Sequence, residues 1–281
     1  MEFGIYGAGL GAMARPDGAD VARLAEELGY ESLWTGEHMV LPAPQAAPSH
    51  RAPDHPFLDP IVALTYLAAH TSRIRLATGV LLLPQRHPVQ LAKELASLDV
   101  LSRGRLIVGV GVGYVESELR ALNVDPRTRG AQATEHLAAL LALWREEHPR
   151  FDGTFVSFAG IDAHPRPVQP GGPPIVVGGN SRAGLQRALA YGAGWYGYRL
   201  DPGATAAAVD QLRTLAKDAG RDPTDVHITV TPSGPLDDVL VRAYADAGVD
   251  RLVVIAEGDD LEEVVTVVKA NRPDRWSAAL G

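Results

Sequence analysis

The 281-residue sequence contains no cysteine. Disulfides, thiolate nucleophiles, zinc ribbons and Cys-ligated iron–sulfur clusters are thereby excluded. Lysine is nearly absent too: Lys93, Lys217 and Lys269 are the only three, and arginine supplies the other positive charges. With 26 basic against 34 acidic residues the formal charge is −8, which argues against a phosphate-backbone partner such as nucleic acid. No apolar run approaches the 18 residues of a membrane span. Met1-Glu2-Phe3-Gly4-Ile5 enters a strand-like run at once, with no basic-then-apolar leader. These absences predict a soluble, cytoplasmic protein. There is no G-x-S-x-G elbow, P-loop or H-E-x-x-H, and the nine histidines show no metal-ligand spacing. Hydrolase and metalloenzyme chemistry therefore gain little support.

What the sequence does have is a regular grammar. Short apolar runs at Glu2–Tyr6, Ser32–Thr35, Ile74–Leu82, Leu106–Val112, Ile175–Gly178, Gly194–Tyr198, His227–Thr231 and Arg251–Ile255 predict strands covered on both faces. Helix-period segments lie between them: Gly18–Leu28, Pro60–His70, Pro88–Leu101, Ala131–Glu147, Arg182–Tyr191, Ala204–Ala219, Leu236–Ala247 and Leu261–Ala270. Gly29, Gly192, Gly220 and Gly248 each close a helix before an apolar run, where glycine accepts a left-handed conformation. Eight βα units favour a single parallel (β/α)8 barrel over an open doubly wound sheet, as one domain spanning residues 1–281. Two segments break the grammar. Leu41–Phe57, after the second strand, holds five prolines with His50 and His55, and suits a lid, although a tolerated surface insertion would look the same. Pro149–Pro174, after the fourth helix, is expected to border the active site.

In such a barrel, ligand and reacting groups sit at the C-terminal strand ends. The second strand delivers Thr35-Gly36-Glu37-His38, the third Thr78-Gly79-Val80, the fourth Gly109-Val110-Gly111-Val112-Gly113-Tyr114, the fifth Gly178-Gly179-Asn180-Ser181 and the sixth Trp195. At Gly178–Ser181, glycines allow close approach, and a capped helix N-terminus offers free N–H groups to a phosphate; a tight turn with an ordinary cap uses the same residues. The alternate glycines of the fourth strand do not make a dinucleotide fingerprint, which lacks its third glycine here. They either clear room for a flat ring or pack a crowded barrel. Glu37 beside His38 suggests an imidazole held by a carboxylate for proton transfer.

Taken together, Ala25–His38, Arg75–Val80, Pro84-Gln85-Arg86-His87-Pro88, Ala92–Asp99, Leu101–Arg105, Gly109–Tyr114, Pro173–Gly179 and Gly192–Trp195 resemble the bacterial luciferase-like monooxygenase superfamily, especially its deazaflavin (coenzyme F420) branch. The resemblance implies the same barrel, a homodimer, and bound F420, with FMN as the alternative. It implies hydride transfer to or from a small organic substrate, against oxygen-dependent FMN monooxygenation; a non-catalytic cofactor-binding protein is the other class left open. Gly79-Val80 would back the ring through a bulge, often with a non-prolyl cis peptide. His38 and Glu37 would act beside the ring. Cofactor contacts are expected from Glu37, His38, Thr78, Gly79, Val80, Gly111, Gly113, Tyr114, Gly178, Gly179, Asn180, Ser181 and Trp195. Tyr114 stands where some deazaflavin dehydrogenases carry an acid, with Glu116 and Glu118 further on, which speaks against a sugar-phosphate substrate. Arg199 and Arg166 are candidates to meet an anionic one.

Overall fold

Continuous apolar runs need cover on both faces, and the chain provides it by closing its sheet. In the computed structural model, which describes residues 1–280, the strands are β1 (Glu2–Tyr6), β2 (Ser32–Thr35), β3 (Arg75–Thr78), β4 (Leu106–Gly111), β5 (Ile175–Gly178), β6 (Gly194–Leu200), β7 (His227–Pro232) and β8 (Arg251–Ile255). Each pairs in parallel with the next, and β8 returns to β1 with Glu2 opposite Arg251 and Tyr6 opposite Ile255. The result is the expected (β/α)8 barrel. Its helices are α1 (Gly18–Glu27), α2 (Pro60–His70), α3 (Pro88–Ser102), α4 (Arg129–Arg145), α5 (Arg182–Tyr191), α6 (Pro202–Asp218), α7 (Asp238–Asp246) and α8 (Leu261–Ala270). None of them is long and apolar enough to cross a membrane.

The period of two along each strand divides the core. Ile5, Leu33, Leu76, Val108, Val177, Trp195 and Leu252 face the helices, whereas Tyr6, Trp34, Ala77, Ile107, Val176, Tyr196 and Val253 fill the barrel. Trp34 stacks on Tyr196 at 5.2 Å and donates to Ser32 Oγ at 2.7 Å. Buried Arg251 closes the N-terminal end of the barrel, held by Glu31 at 2.9 and 3.0 Å and Glu2 at 2.6 Å.

Three departures from the sequence expectations matter. The third apolar run does not stay one strand: it breaks at a cis Gly79–Val80 peptide, and Leu81–Leu82 resumes pairing with β4. Leu76 lies opposite Leu106 but Leu81 opposite Val110, so one residue is extra and the chain bulges. Second, Gly29, Gly220 and Gly248 do adopt φ of +86°, +66° and +86°, but Gly192 has φ −90°. It is glycine for space instead, because a Cβ there would lie 2.8 Å from the Ala188 carbonyl oxygen. Third, the 149–174 segment is anchored away from the C-terminal strand ends. Buried Asp99, in the last turn of α3, accepts from the Val168 and Gln169 amides at 2.8 and 3.1 Å, and Gln169 Nε2 donates to the carbonyl of Leu106, where β4 begins. A helix-to-strand connection runs along the N-terminal rim, so this insertion does not border the site. Arg166 goes with it, bound to Asp162 and the Leu143 carbonyl.

The same rim carries a pH-dependent tie. Glu26 accepts the amides of Ser72, Arg73 and Ile74 at 2.9, 2.6 and 2.9 Å. Burial pushes its carboxyl up, but these donors outweigh it and hold it down to about 2. A depressed carboxyl stabilises the fold above its unfolded pKa of 4.5 and loses that contribution as pH falls toward 2. Because Glu26 is only partly buried, Glu26→Gln should cost about 1 kcal/mol at pH 7. Urea midpoints of the variant and parent should converge as pH falls toward 2; a constant gap would rule out this ionisation as the cause.

Candidate functional site

A cavity of about 400 Å³ opens among the C-terminal strand ends and the loops that follow them. Six glycines line it: Gly36, Gly79, Gly111, Gly113, Gly178 and Gly179. Where side chains are missing, a planar molecule can lie against backbone. The alternate glycines of β4 divide their work, however. A Cβ on Gly109 would fall 1.8 Å from the Thr78 carbonyl oxygen, and one on Gly111 would fall 2.6 Å from Val80 Cγ2. Both therefore accommodate the bulge of the neighbouring strand, and only Gly111 also faces the cavity.

Beyond β5, Gly179 has φ +113° with open space where a Cβ would be, and Ser181 caps α5 by accepting from Gly184 N at 3.2 Å. Asn180 and Ser181 are exposed beside the cavity but do not line it. Trp195 does not line it either. The strand period turns Trp195 toward the helices and Tyr196 inward, and Trp195 Nε1 instead supports the loop by donating to the Gly179 carbonyl at 3.0 Å. Thr78 is likewise fully buried, donating to the Gly109 carbonyl at 2.7 Å. It props the bulge from behind.

Glu37 and His38 both line the cavity, yet they are not a pair. Glu37 Oε1 accepts from Arg86 Nε at 2.7 Å and Oε2 from the Leu82 amide at 2.6 Å. Burial raises the Glu37 carboxyl above its ordinary value, opposed by the adjacent Arg86 charge and its hydrogen bonds. Glu37 thus fixes the loop after the bulge, in place of the expected role of holding His38. Glu118 holds His38: His38 Nδ1 donates to its Oε2 at 2.8 Å, while Oε1 accepts the Met39 amide at 2.6 Å. Glu118 is 1% exposed and comes from a short helix, Glu116–Ala121, between β4 and α4. With Nδ1 so engaged, Nε2 is the nitrogen left without a carboxylate partner, hydrogen-bonded only to the Tyr114 hydroxyl at 3.3 Å. Phe57 and Tyr114 set their edges against the imidazole at 5.2 and 5.7 Å.

The rest of the wall is aromatic. Tyr6, Tyr196 and Tyr198 line the cavity, and burial raises the Tyr6 and Tyr196 phenols well above their ordinary value, so both remain neutral. The Tyr196 hydroxyl is bonded to Thr231 Oγ1 at 2.6 Å. The 41–57 loop contributes His50, Arg51 and Phe57 to the lining, and Arg51 forms an ion pair with Glu257, just beyond β8. Glu257→Gln should release this tie, worth about 1 kcal/mol at its partial exposure, and speed limited proteolysis within 41–57 about fivefold. Unchanged cleavage would mean that Phe57 packing alone keeps the loop down.

A family model described as luciferase-like monooxygenase matches residues 5–251. The chain belongs to that family. An uncharacterized protein of Mycobacterium tuberculosis is 36% identical over 249 residues, covering 84% of this chain and 85% of its own. The oxygenase component of a flavin-dependent trigonelline monooxygenase from Acinetobacter baylyi is 30% identical over 160 residues, 56% of this chain and 41% of that one. Among solved structures, an F420-dependent secondary alcohol dehydrogenase superposes with a TM-score of 0.80 over 96% of this chain and 97% of its own, at 15% identity. That likeness concerns the fold.

Several members of the site carried weak sequence signals. Glu118 lies in a stretch with no helical period long enough to register. Arg86 sits in a proline-flanked pentapeptide without an obvious role, and Tyr6 ends a strand whose tip looked merely apolar.

Proposed function

We propose that this chain is an oxidoreductase that transfers a hydride between coenzyme F420 and a small organic substrate. The observation that carries the proposal is His38, backed by a buried carboxylate and facing a glycine-floored, aromatic-walled cavity. The cavity suits a planar ring, since six glycines line it and nothing lies within 4 Å of a Cβ built on Gly179. The capped N-terminus of α5 beside Gly179 suits the cofactor's phosphate. Bound F420 would supply the hydride acceptor or donor.

The chain's own residues then have defined tasks. A substrate that gives up hydride from carbon, and keeps its net charge, must also give up a proton. His38 Nε2 is the group placed to take it, and in the reverse direction to return it. Glu118 keeps Nδ1 protonated and steadies the imidazolium that results. Tyr114 can donate to Nε2 while the imidazole is neutral, and the neutral phenols of Tyr6 and Tyr196 add no competing charge.

A second function, FMN-dependent oxygenation, is favoured by the flavin-dependent relative from Acinetobacter baylyi. A carrier without catalysis is disfavoured by the cost of burying Glu118 behind an imidazole, which cofactor storage does not require. The test is a fluorescence titration of cofactor-free protein with F420 and, separately, with FMN. Saturable binding of F420 with at least tenfold weaker FMN binding is expected. Preference for FMN would replace hydride transfer with oxygenation, and binding of neither would remove both.

A further inference from the structure

Most of the acidic, arginine and histidine side chains lining the cavity are paired, and the two that are not are His50 and Arg199. Glu37 faces Arg86, Arg51 faces Glu257 and His38 faces Glu118. Arg199 lines the same cavity and forms no ion pair or hydrogen bond with any described residue; its guanidinium carbon lies 5.8 Å from the Tyr198 ring centroid. Arg199 is solvent-exposed, so the lack of a partner is not in itself unusual. Standing at the mouth of an aromatic-walled cavity, on a chain of net charge −8, it is placed to meet an anion that the protein itself does not provide.

Its backbone reinforces the point. Tyr198 lies opposite Thr231 and Leu200 opposite Pro232, so Arg199 is the extra residue of a bulge between β6 and β7. It has φ +53°, a left-handed conformation that a long side chain rarely adopts. The turn is held by its surroundings: the Leu200 carbonyl accepts both the Ser233 amide at 3.1 Å and the Tyr244 hydroxyl at 2.5 Å. Bulges of this kind re-aim one side chain at the rim of a barrel. Here the re-aimed side chain is the uncompensated cation.

We infer that Arg199 anchors a carboxylate on a planar, aromatic substrate whose ring lies among Tyr198, Tyr114 and Phe57. The inference rests on the cavity being the redox site proposed above, and names the class of substrate that site takes. A planar guanidinium binds a carboxylate through two parallel N–H···O bonds, which an amide of the same shape cannot match. The cofactor's own phosphate is the rival source of negative charge, because β5 and β6 are neighbours.

The experiment is calorimetric titration of the wild-type chain, Arg199→Gln and Arg199→Lys with benzoate, phenylacetate and cinnamate, and with the corresponding amides. Each is run without cofactor and again with whichever of F420 or FMN binds. At least one acid should bind wild type about tenfold more tightly than its amide. Arg199→Gln should bring that ratio to within about twofold, and Arg199→Lys should keep part of it. Equal binding of acids and amides by wild type, no saturable binding of any acid, or an unchanged ratio in Arg199→Gln would overturn the assignment. FMN and riboflavin, titrated in parallel, separate the rival source: if Arg199→Gln weakens FMN but not riboflavin, Arg199 serves the cofactor phosphate and the substrate assignment is lost. Failure of both cofactors to bind wild type would instead sink the redox function, and the acid-to-amide ratio of the cofactor-free protein still reads Arg199 on its own.

Discussion

Replacing His38 with alanine is expected to lower turnover about 10²- to 10⁴-fold, the range usual for losing a positioned acid–base group, while cofactor affinity stays within about threefold. The asymmetry follows from the site. His38 offers Nε2 to the cavity, but the floor beneath it is built by glycines and by the bulge, neither of which depends on the imidazole. Glu118→Gln tests the same unit from behind. An amide cannot accept from His38 Nδ1 and Met39 N with equal strength at both ends, so one bond is lost or weakened. The imidazole is then free to carry its proton on Nε2. Turnover should fall about tenfold to a hundredfold with little change in KM, by analogy with other carboxylates that fix a histidine tautomer. Ring ¹⁵N shifts by NMR should show the Nδ1–H form of the parent giving way to a mixture in Glu118→Gln, a change that a merely structural carboxylate would not produce. If His38→Ala kept turnover within threefold, proton transfer would have to be assigned elsewhere. A cofactor affinity reduced more than tenfold would make His38 a ring contact instead.

The barrel was legible because its determinants are local: eight apolar runs of strand length, helices of period 3.6, and glycine stops between them. The strand-end glycines and His38 were legible for the same reason, since position along a strand fixes which end of the barrel a residue occupies. What escaped was anything set by partners far apart in the chain. Glu37 adjoins His38 in sequence, but adjacent residues at a strand end diverge, and the carboxylate that reaches His38 comes from 80 residues away. Trp195 was misplaced by one position, which on a strand means the opposite face. The 149–174 segment was drawn to the site by its length and prolines, although a connection following a helix belongs to the other rim. In each case the composition was read correctly and the direction was not.

The largest stability effect is expected at Gly109. Its φ is unexceptional, and the constraint is contact: a Cβ would sit 1.8 Å from the Thr78 carbonyl oxygen and 2.9 Å from its carbon. Neither strand has room to yield. Thr78 is fully buried, donates its hydroxyl to the Gly109 carbonyl at 2.7 Å, and is followed at once by the bulge. Gly109→Ala must therefore drive β3 and β4 apart inside a closed barrel, where no edge can absorb the shift. The expected cost is about 3 kcal/mol, the upper part of the range for overpacking, equivalent to about 6–9 °C in Tm for a chain of this size. Gly29→Ala is the control: Gly29 has φ +86° but nothing within 4 Å of a Cβ, so only conformational strain of about 1 kcal/mol applies. Because Val80 lies two residues beyond Thr78 and lines the cavity, Gly109→Ala should also weaken cofactor binding about tenfold, which Gly29→Ala should not. Thermal melts and the cofactor titration together decide the matter. Equal losses of stability in the two variants would show that backbone conformation, not the approach of two strands behind the cavity floor, is what glycine provides at position 109.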